Sequence, residues 1–369
     1  MAAEREDAID AFLAASGWGA ALRAPLPGDA STRRYMRLAM NGRKAMLMDQ
    51  PQNAESPAAA ASATPDERRA LGYNAVARLA GADCGRFIAA SNYLRRRGLS
   101  APAILAADPV QGFVILEDLG DALYADVVDA KNEAELYASA ADVLAALHAD
   151  RAPAVLPPDK PFHAYDETAL LAEIDLLTEW FMPVALGRRA GDDEVAEHRG
   201  LWRAALSPVL AAPPVFVHRD YHAQNLLWLP ERGGAARVGL IDFQDAVAGS
   251  KAYDLVSLVE DARRDVAAEI ADATAAHYLE AMRRQGTPLD EARFRGDMAV
   301  MAAQRNAKIA GIFARLFKRD GKARYLSYLP RVWAHLNRDL EHPMLADVKA
   351  WYDKTIPRDK RGIPQGVAA

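Results

Sequence analysis

A strand-rich stretch, PPVFVHRDYHAQNLLWLPERGGAARVGLIDFQDAVAGSKAYDLVSL over residues 213–258, interrupts what is otherwise helix after helix. Around it, from residue 133 onward, apolar residues recur at helical spacing in EAELYASAADVLAALHA, ETALLAEIDLLTEWFM, DARRDVAAEIADATAAHYLEAMRRQ and RGDMAVMAAQRNAKIAGIFARLFKR. Within the stretch, VFVH reads as a strand, and LLWL and RVGLID as a hairpin whose end presents Asp242. The loop between carries Asp220 and Asn225. Three oxygen-bearing side chains are thereby expected at strand ends on one side of a small sheet.

The first third of the chain differs. Residues 5–16 read as an opening helix, and RYMRLAM and KAMLMDQ as short strands bounded by the turn residues Gly28, Asp29, Asn41 and Gly42. NAESPAAAASATPDE, rich in Ala, Ser and Pro and without periodicity, reads as a mobile loop. A helix is expected over about 84–97, stopped by Gly98, and QGFVILEDLG reads as a buried strand running into a turn. Glu117 to Gly120 is then a hinge between a small α/β lobe over 1–116 and a larger, mainly helical lobe over 121–369, an α+β arrangement without internal repeats.

Length and composition exclude several classes. A chain of 369 residues buries enough core to need neither metal nor disulfide. With 51% hydrophobic and 26% charged residues, a net charge of −5 and interleaved signs, a general nucleic-acid or anionic-membrane surface is not expected. The single cysteine, Cys84, excludes an intrachain disulfide framework and reads as a small buried hydrophobe in a reducing compartment. No apolar run approaches the roughly 20 residues that span a bilayer, and the N-terminus has no signal-peptide core, so a cytoplasmic protein is expected. No obligate protein partner is inferred.

The chemistry lies in the strand-rich stretch. In phosphoryl transfer one carboxylate orients and accepts the proton of an attacking hydroxyl, while an amide and a second carboxylate hold Mg²⁺ on the phosphates. His218-Arg219-Asp220 followed by Asn225 reproduces the H-R-D-x-x-x-x-N spacing, and Ile241-Asp242-Phe243 stands where kinases carry D-F-G. Alone, the first pattern is also that of an ordinary capped loop. Joined to the second aspartate, an α/β lobe and a hinge, it points to a kinase.

VHRDYHAQNLLW and LIDFQDAVAGSKAYDL resemble the aminoglycoside phosphotransferase and choline kinase superfamily, which shares the two-lobed protein-kinase-like fold and phosphorylates small molecules. GDASTRRYMRL, FVILEDLGD, LLAEIDLLTEWFM and AAQRNAKIAGIFARLFKRDGKARYLSYLPRV resemble, more narrowly, the bacterial cell-wall-recycling kinases that phosphorylate the anomeric hydroxyl of N-acetylmuramate and N-acetylglucosamine. These blocks run from about residue 28 to 332. The resemblance implies ATP and Mg²⁺ as cofactors and an amino sugar as substrate. It makes Asp220 the catalytic base, Asn225 and Asp242 the metal ligands, the backbone of Glu117 to Leu119 the adenine site, and His218 and Asp254 braces for the catalytic loop. The rivals are a kinase for an aminoglycoside or a choline-like alcohol, and a nucleotide-binding pseudokinase.

Other residues carry two readings each. His148 reads as a satisfied histidine at a helix end, and His222 either as a substrate contact or as loop packing. Glu173, Asp175 and Trp180 share a helix; they form a solvated face with one aromatic in the core or, by the resemblance, carboxylates and a stacking ring for a sugar. Positions 304, 308, 311 and 315 fall on one helical face, and 305, 309 and 312 on another. Arg305 or Lys308 meets a sugar carboxylate or makes a surface salt bridge.

The hairpin GDASTRRYMRLAMNGRKAMLMDQP has the shape of a phosphate-covering turn, with Asp29, Ala30, Ser31 and Thr32 offering backbone N–H groups and hydroxyls to a triphosphate, although it lacks G-x-G-x-x-G. Met48 stands where a lysine is expected at the end of the third strand, and CGRFIAASNYLRRRG has no glutamate to pair with one. Alternation places Arg33, Tyr35 and Arg37 on one strand face and Arg34 with Met36 and Leu38 on the other. On that ground Arg34 is expected to do the missing lysine's work.

Overall fold

The computed structural model describes residues 2–27, 33–51, 59–78 and 83–364. The chain divides into two compact units, one of Met1–Val127, Pro153–His163 and Asn225–Ala246, the other of Val128–Ala152, Ala164–Gln224 and Val247–Ala369. Neither is contiguous: the expected hinge lies inside the first unit, and so does the 225–246 hairpin.

The first unit is built on an antiparallel sheet of β1 (Leu22–Pro25), β2 (Arg34–Met40), β3 (Arg43–Asp49), β4 (Ile104–Asp108) and β5 (Phe113–Leu116), in the order β1-β2-β3-β5-β4. Asn41 and Gly42, both at positive φ, make the tight turn between β2 and β3. Helix α1 (Ala2–Ala15) covers one face, packing Ile9, Phe12 and Leu13 against Leu38, Ala45, Leu47, Phe113 and Ile115. On this face Asp49, fully buried, pairs with Arg5 of α1 and with Arg34 of β2, whose Nε lies 2.9 Å away.

Residues 65–67, the end of the expected loop, instead open helix α2 (Pro65–Leu71). Thr64 and Glu67 cap each other's backbone and Pro65 opens the first turn, a start signal that the lack of apolar periodicity obscured. Helix α3 (Cys84–Arg96) matches expectation; Phe87 stacks on Phe243 at 4.8 Å, and the Cys84 thiol is buried and pushed up to about 11, mainly by burial.

The hairpin Leu226–Trp228 and Val238–Leu240 pairs as expected. It belongs to the first unit because the residues around β4 and β5 receive it: Leu240 donates to the Ser100 carbonyl at 2.8 Å, Trp228 to the Ala122 carbonyl at 2.7 Å, and Arg232 to Glu117 at 2.6 Å. Gly239 permits the approach, since a Cβ there would lie 3.2 Å from Leu227 and 3.3 Å from Leu119.

Among the described residues the second unit's strands form one two-stranded ladder amid helices. Strand Val215–Val217 pairs with Val247–Gly249, not with the hairpin, so the expected single sheet is two separate ladders. A three-residue apolar strand has no side-chain pattern long enough to specify its partner. Helix Glu291–Asp320 packs along Glu167–Leu176 and the following turn of π-helix, Leu177–Phe181. Gly311 sets their spacing: a Cβ there would fall 2.4 Å from the Leu176 carbonyl carbon. His148 is buried against the Tyr278 hydroxyl at 2.9 Å, and burial pulls it down to about 3. Among the described residues no helix is long and apolar enough to cross a membrane.

Candidate active site

The first unit offers a cavity of about 620 Å³ on the face of the sheet opposite α1. Tyr35, Arg37 and Met46 form its sheet wall, Glu117 to Gly120 one rim, and Asn225 and Asp242 the far end. The hairpin register explains the last pair. Leu226 opposes Leu240, the Ile241 N–H reaches the Asn225 carbonyl at 3.2 Å, and Asp242 follows at once. Asp242 has φ +64°, a left-handed conformation that is uncommon for a non-glycine residue and concentrates at functional sites. An amide oxygen and a carboxylate are hard donors suited to Mg²⁺, which is held by one or two protein oxygens together with phosphates. No described cluster of three or more His, Cys, Asp or Glu provides a self-sufficient metal cage.

Around the rim, Arg37 pairs with Asp118 at 2.7 Å and Asp121 at 2.6 Å, tying the turn to β2. Glu117 accepts from the Ala103 N–H at 3.1 Å and gives its own N–H to the Ala103 carbonyl. Asp29, Ala30, Ser31 and Thr32 lie outside the described residues. Arg34 does not face this cavity: it is half-exposed and held by Asp49 on the α1 side. Arg33 lines the cavity as Arg37 does, but Arg33 is the one that reaches Asp242, its Nη2 3.1 Å from Asp242 Oδ1 and its Nη1 on Gln244 Oε1. Sequence alternation separated the two side chains correctly, but both faces of the sheet are covered, so an apolar neighbourhood did not mark the cavity.

In the second unit, strand Val215–Val217 leads into His218, Arg219 and Asp220. Asp254 caps the backbone of this loop, accepting from the His218 N–H at 2.6 Å and the Arg219 N–H at 2.9 Å, as a brace should. Burial pushes its own carboxyl up to about 7, against the pull of those two N–H groups. Arg219 adopts φ +75°, and its guanidinium lies over the Tyr165 ring at 4.7 Å and reaches Glu173 at 2.6 Å. Asp220 is half-buried as a residue. Burial raises it, but His222, Lys308, Arg219 and His218 together hold it below the ordinary aspartate value, so it is ionised at neutral pH. Burial pulls His222 down against the attraction of Asp261 and Asp220, so Lys308 and Arg219 are the lasting cations beside Asp220.

Glu173 is not a sugar-facing carboxylate. It is 1% exposed and accepts from Arg219, from Lys308 at 3.0 Å, from Gln304 at 3.1 Å and from the Tyr165 hydroxyl. Burial raises it, and Lys308 and Arg219 bring it below its ordinary value. The face of Gln304, Lys308 and Gly311 thus meets the Glu173 helix, and only the spacing of 304, 308 and 311 hinted at this. Arg305 is also buried, donating to the Glu260 carbonyl at 3.1 Å. Asp175 and Trp180 line a different cavity of the second unit, with Arg199 and Phe317. Two residues on a helix are about 200° of rotation, which turns Asp175 away from the Glu173 network.

An ionised aspartate on an H-R-D loop, and an Asn–Asp pair in a cavity of the other unit, match the residue types that phosphotransferases use. The chain belongs to the phosphotransferase enzyme family, whose model matches residues 23–289. It is 44% identical over 368 residues, 98% of this chain and 99% of its relative, to a protein of Caulobacter vibrioides named N-acetylmuramate/N-acetylglucosamine kinase. A Pseudomonas putida protein of the same name is 32% identical, covering 87% of this chain and 84% of that one. Among solved structures, a choline/ethanolamine kinase family protein from Mesorhizobium loti matches 94% of this chain and 98% of its own with a TM-score of 0.55 at 18% identity. Choline kinase LicA from Streptococcus pneumoniae matches 93% and 99% with 0.56 at 13%. The fold is the two-lobed protein-kinase-like fold.

Proposed function

We propose that this chain is an ATP-dependent kinase that transfers the γ-phosphoryl group to the anomeric hydroxyl of N-acetylmuramate or N-acetylglucosamine. The observation that carries the reading is its end-to-end 44% identity to a kinase named for those sugars. In this reading ionised Asp220 accepts the proton of the attacking hydroxyl as it is transferred, and an anomeric hydroxyl, more acidic than an ordinary alcohol, needs only a weak base. Asn225 and Asp242 hold Mg²⁺, which when bound neutralises charge on the phosphates. The Glu117 N–H is committed to Ala103, so the Glu117 carbonyl and the Leu119 backbone receive the adenine. His222, beside Asp220, orients the sugar, and Arg305 and Lys308 supply positive potential for a sugar carboxylate. The setting is cytoplasmic peptidoglycan recycling.

Incubating the protein with ATP, Mg²⁺ and a panel of N-acetylmuramate, N-acetylglucosamine, aminoglycosides and choline tests this. The expected result is ATP consumption with the two sugars and a product whose phosphorus couples to the anomeric proton by NMR. Consumption with an aminoglycoside or choline alone, or with nothing, rejects it.

A further inference from the structure

Near the end of strand β3 stands Met48, fully buried, where a kinase of this fold carries a lysine for the nucleotide phosphates. The β2–β3 register pairs Tyr35 with Met48 and Arg37 with Met46. Directly opposed residues project from the same face of a sheet, so Met48 shares the cavity face with Tyr35, Arg37 and, one alternation earlier, Arg33. Residues diagonal across a strand pair lie about 7–8 Å apart, within the reach of an arginine.

Arg33 is 8% exposed, and its fork is occupied by Asp242 and Gln244, with the Tyr35 hydroxyl 3.5 Å from Nη1. Gln244 Nε2 also donates to Asp242 Oδ1 at 3.1 Å, so two side chains, Arg33 and Gln244, hold that carboxylate oxygen in place. A guanidinium stays protonated in proteins, and here Asp242 lies directly against it. A permanent cation therefore stands in the hinge-lined cavity, delivered from the start of β2. A guanidinium carries five donors in a rigid fork and binds phosphate oxygens bidentately, which an ammonium does not.

We propose that Arg33 replaces the β3 lysine, contacting the nucleotide's phosphates while orienting Asp242. The proposal rests on the kinase reading above. It separates Arg33 from Arg34, whose guanidinium is engaged by Asp49 on the α1 face.

The test measures ADP and adenosine binding by calorimetry in EDTA, where metal held by Asp242 plays no part. Arg33→Met should weaken ADP about 10-fold or more, the loss of a charge-assisted contact, and leave adenosine unchanged. Arg34→Ala should leave both unchanged. Adding Met48→Lys to Arg33→Met should recover at least part of the ADP affinity. Unchanged ADP binding in Arg33→Met, or an equal loss of ADP and adenosine, overturns the proposal; the second outcome would make Arg33 a support for the cavity. If Arg33→Met does not fold, Arg33→Gln, which keeps polar reach without charge, is read the same way. Failure of the wild type to phosphorylate either sugar would reject the proposed substrate without altering these binding outcomes.

Discussion

Replacing Glu173 by glutamine should loosen the catalytic loop rather than the hold on sugar. The buried carboxylate faces Arg219 at 2.6 Å and Lys308 at 3.0 Å, with Gln304 and Tyr165 as further donors. Glutamine keeps the volume but presents an NH₂ to donors and leaves two buried cations without a counter-charge. Breaking one side of a buried ion pair costs about 3–5 kcal/mol. At about 2 °C per kcal/mol for a unit of this size, the melting temperature should fall by about 6–10 °C. Arg219 precedes the base and depends on Glu173 for its position, so kcat should fall by about 10-fold or more while the sugar KM changes little. The pH dependence has a definite sign. The folded pKa of Glu173 lies below its ordinary 4.5, so its stabilisation is present above that value and is lost as pH falls through the lower folded value. The gap between wild-type and variant melting curves should narrow only in that acid range. Melting curves from pH 3 to 8, run beside steady-state kinetics, provide the measurement. A variant that melts like the wild type but shows a raised sugar KM would refute the reasoning and make Glu173 a substrate contact.

Asp220→Asn keeps size and most hydrogen bonding but removes the proton acceptor, so turnover should drop by about 10² or more with ADP affinity near normal; unchanged turnover would remove Asp220 from the chemistry. Gly311→Ala would place a Cβ 2.4 Å from the Leu176 backbone, so the variant should melt far below the wild type or fail to accumulate, and a normal melting curve would contradict the close helix contact. Burial raises the Asp175 carboxyl to about 6, against Arg199 at 3.6 Å, so its ionisation costs stability, a loss that starts above the ordinary value of 3.8 and is complete above about 6. Asp175→Asn should therefore raise the melting temperature at pH 7.5, give no gain near pH 4 and leave sugar kinetics unchanged; a raised sugar KM would return Asp175 to the substrate site.

What the sequence determined was what local patterning carries. Helical periodicity marked Glu133–His148 and Glu291–Asp320, because side chains at three- and four-residue spacing share a face whatever lies opposite, and Gly98 marked the end of α3. The H-R-D-x-x-x-x-N spacing and the second aspartate were legible because loop chemistry needs particular residue types in order. Alternation along β2 separated Arg33 from Arg34 for the same local reason. What lies opposite each face was decided only by tertiary structure. Arg34 shares an apolar face, as its neighbours Met36 and Leu38 implied, but that face is closed by α1 and supplies Asp49. Glu173 looked like one carboxylate on a solvated helix until Gln304 and Lys308, more than 130 residues later, closed over it. The strand Val215–Val217 found its partner beyond the hairpin rather than in it. Strand partners and buried charges are settled by long-range contacts, whose favourable energy appears only when distant segments exclude water together, and no local window contains that information.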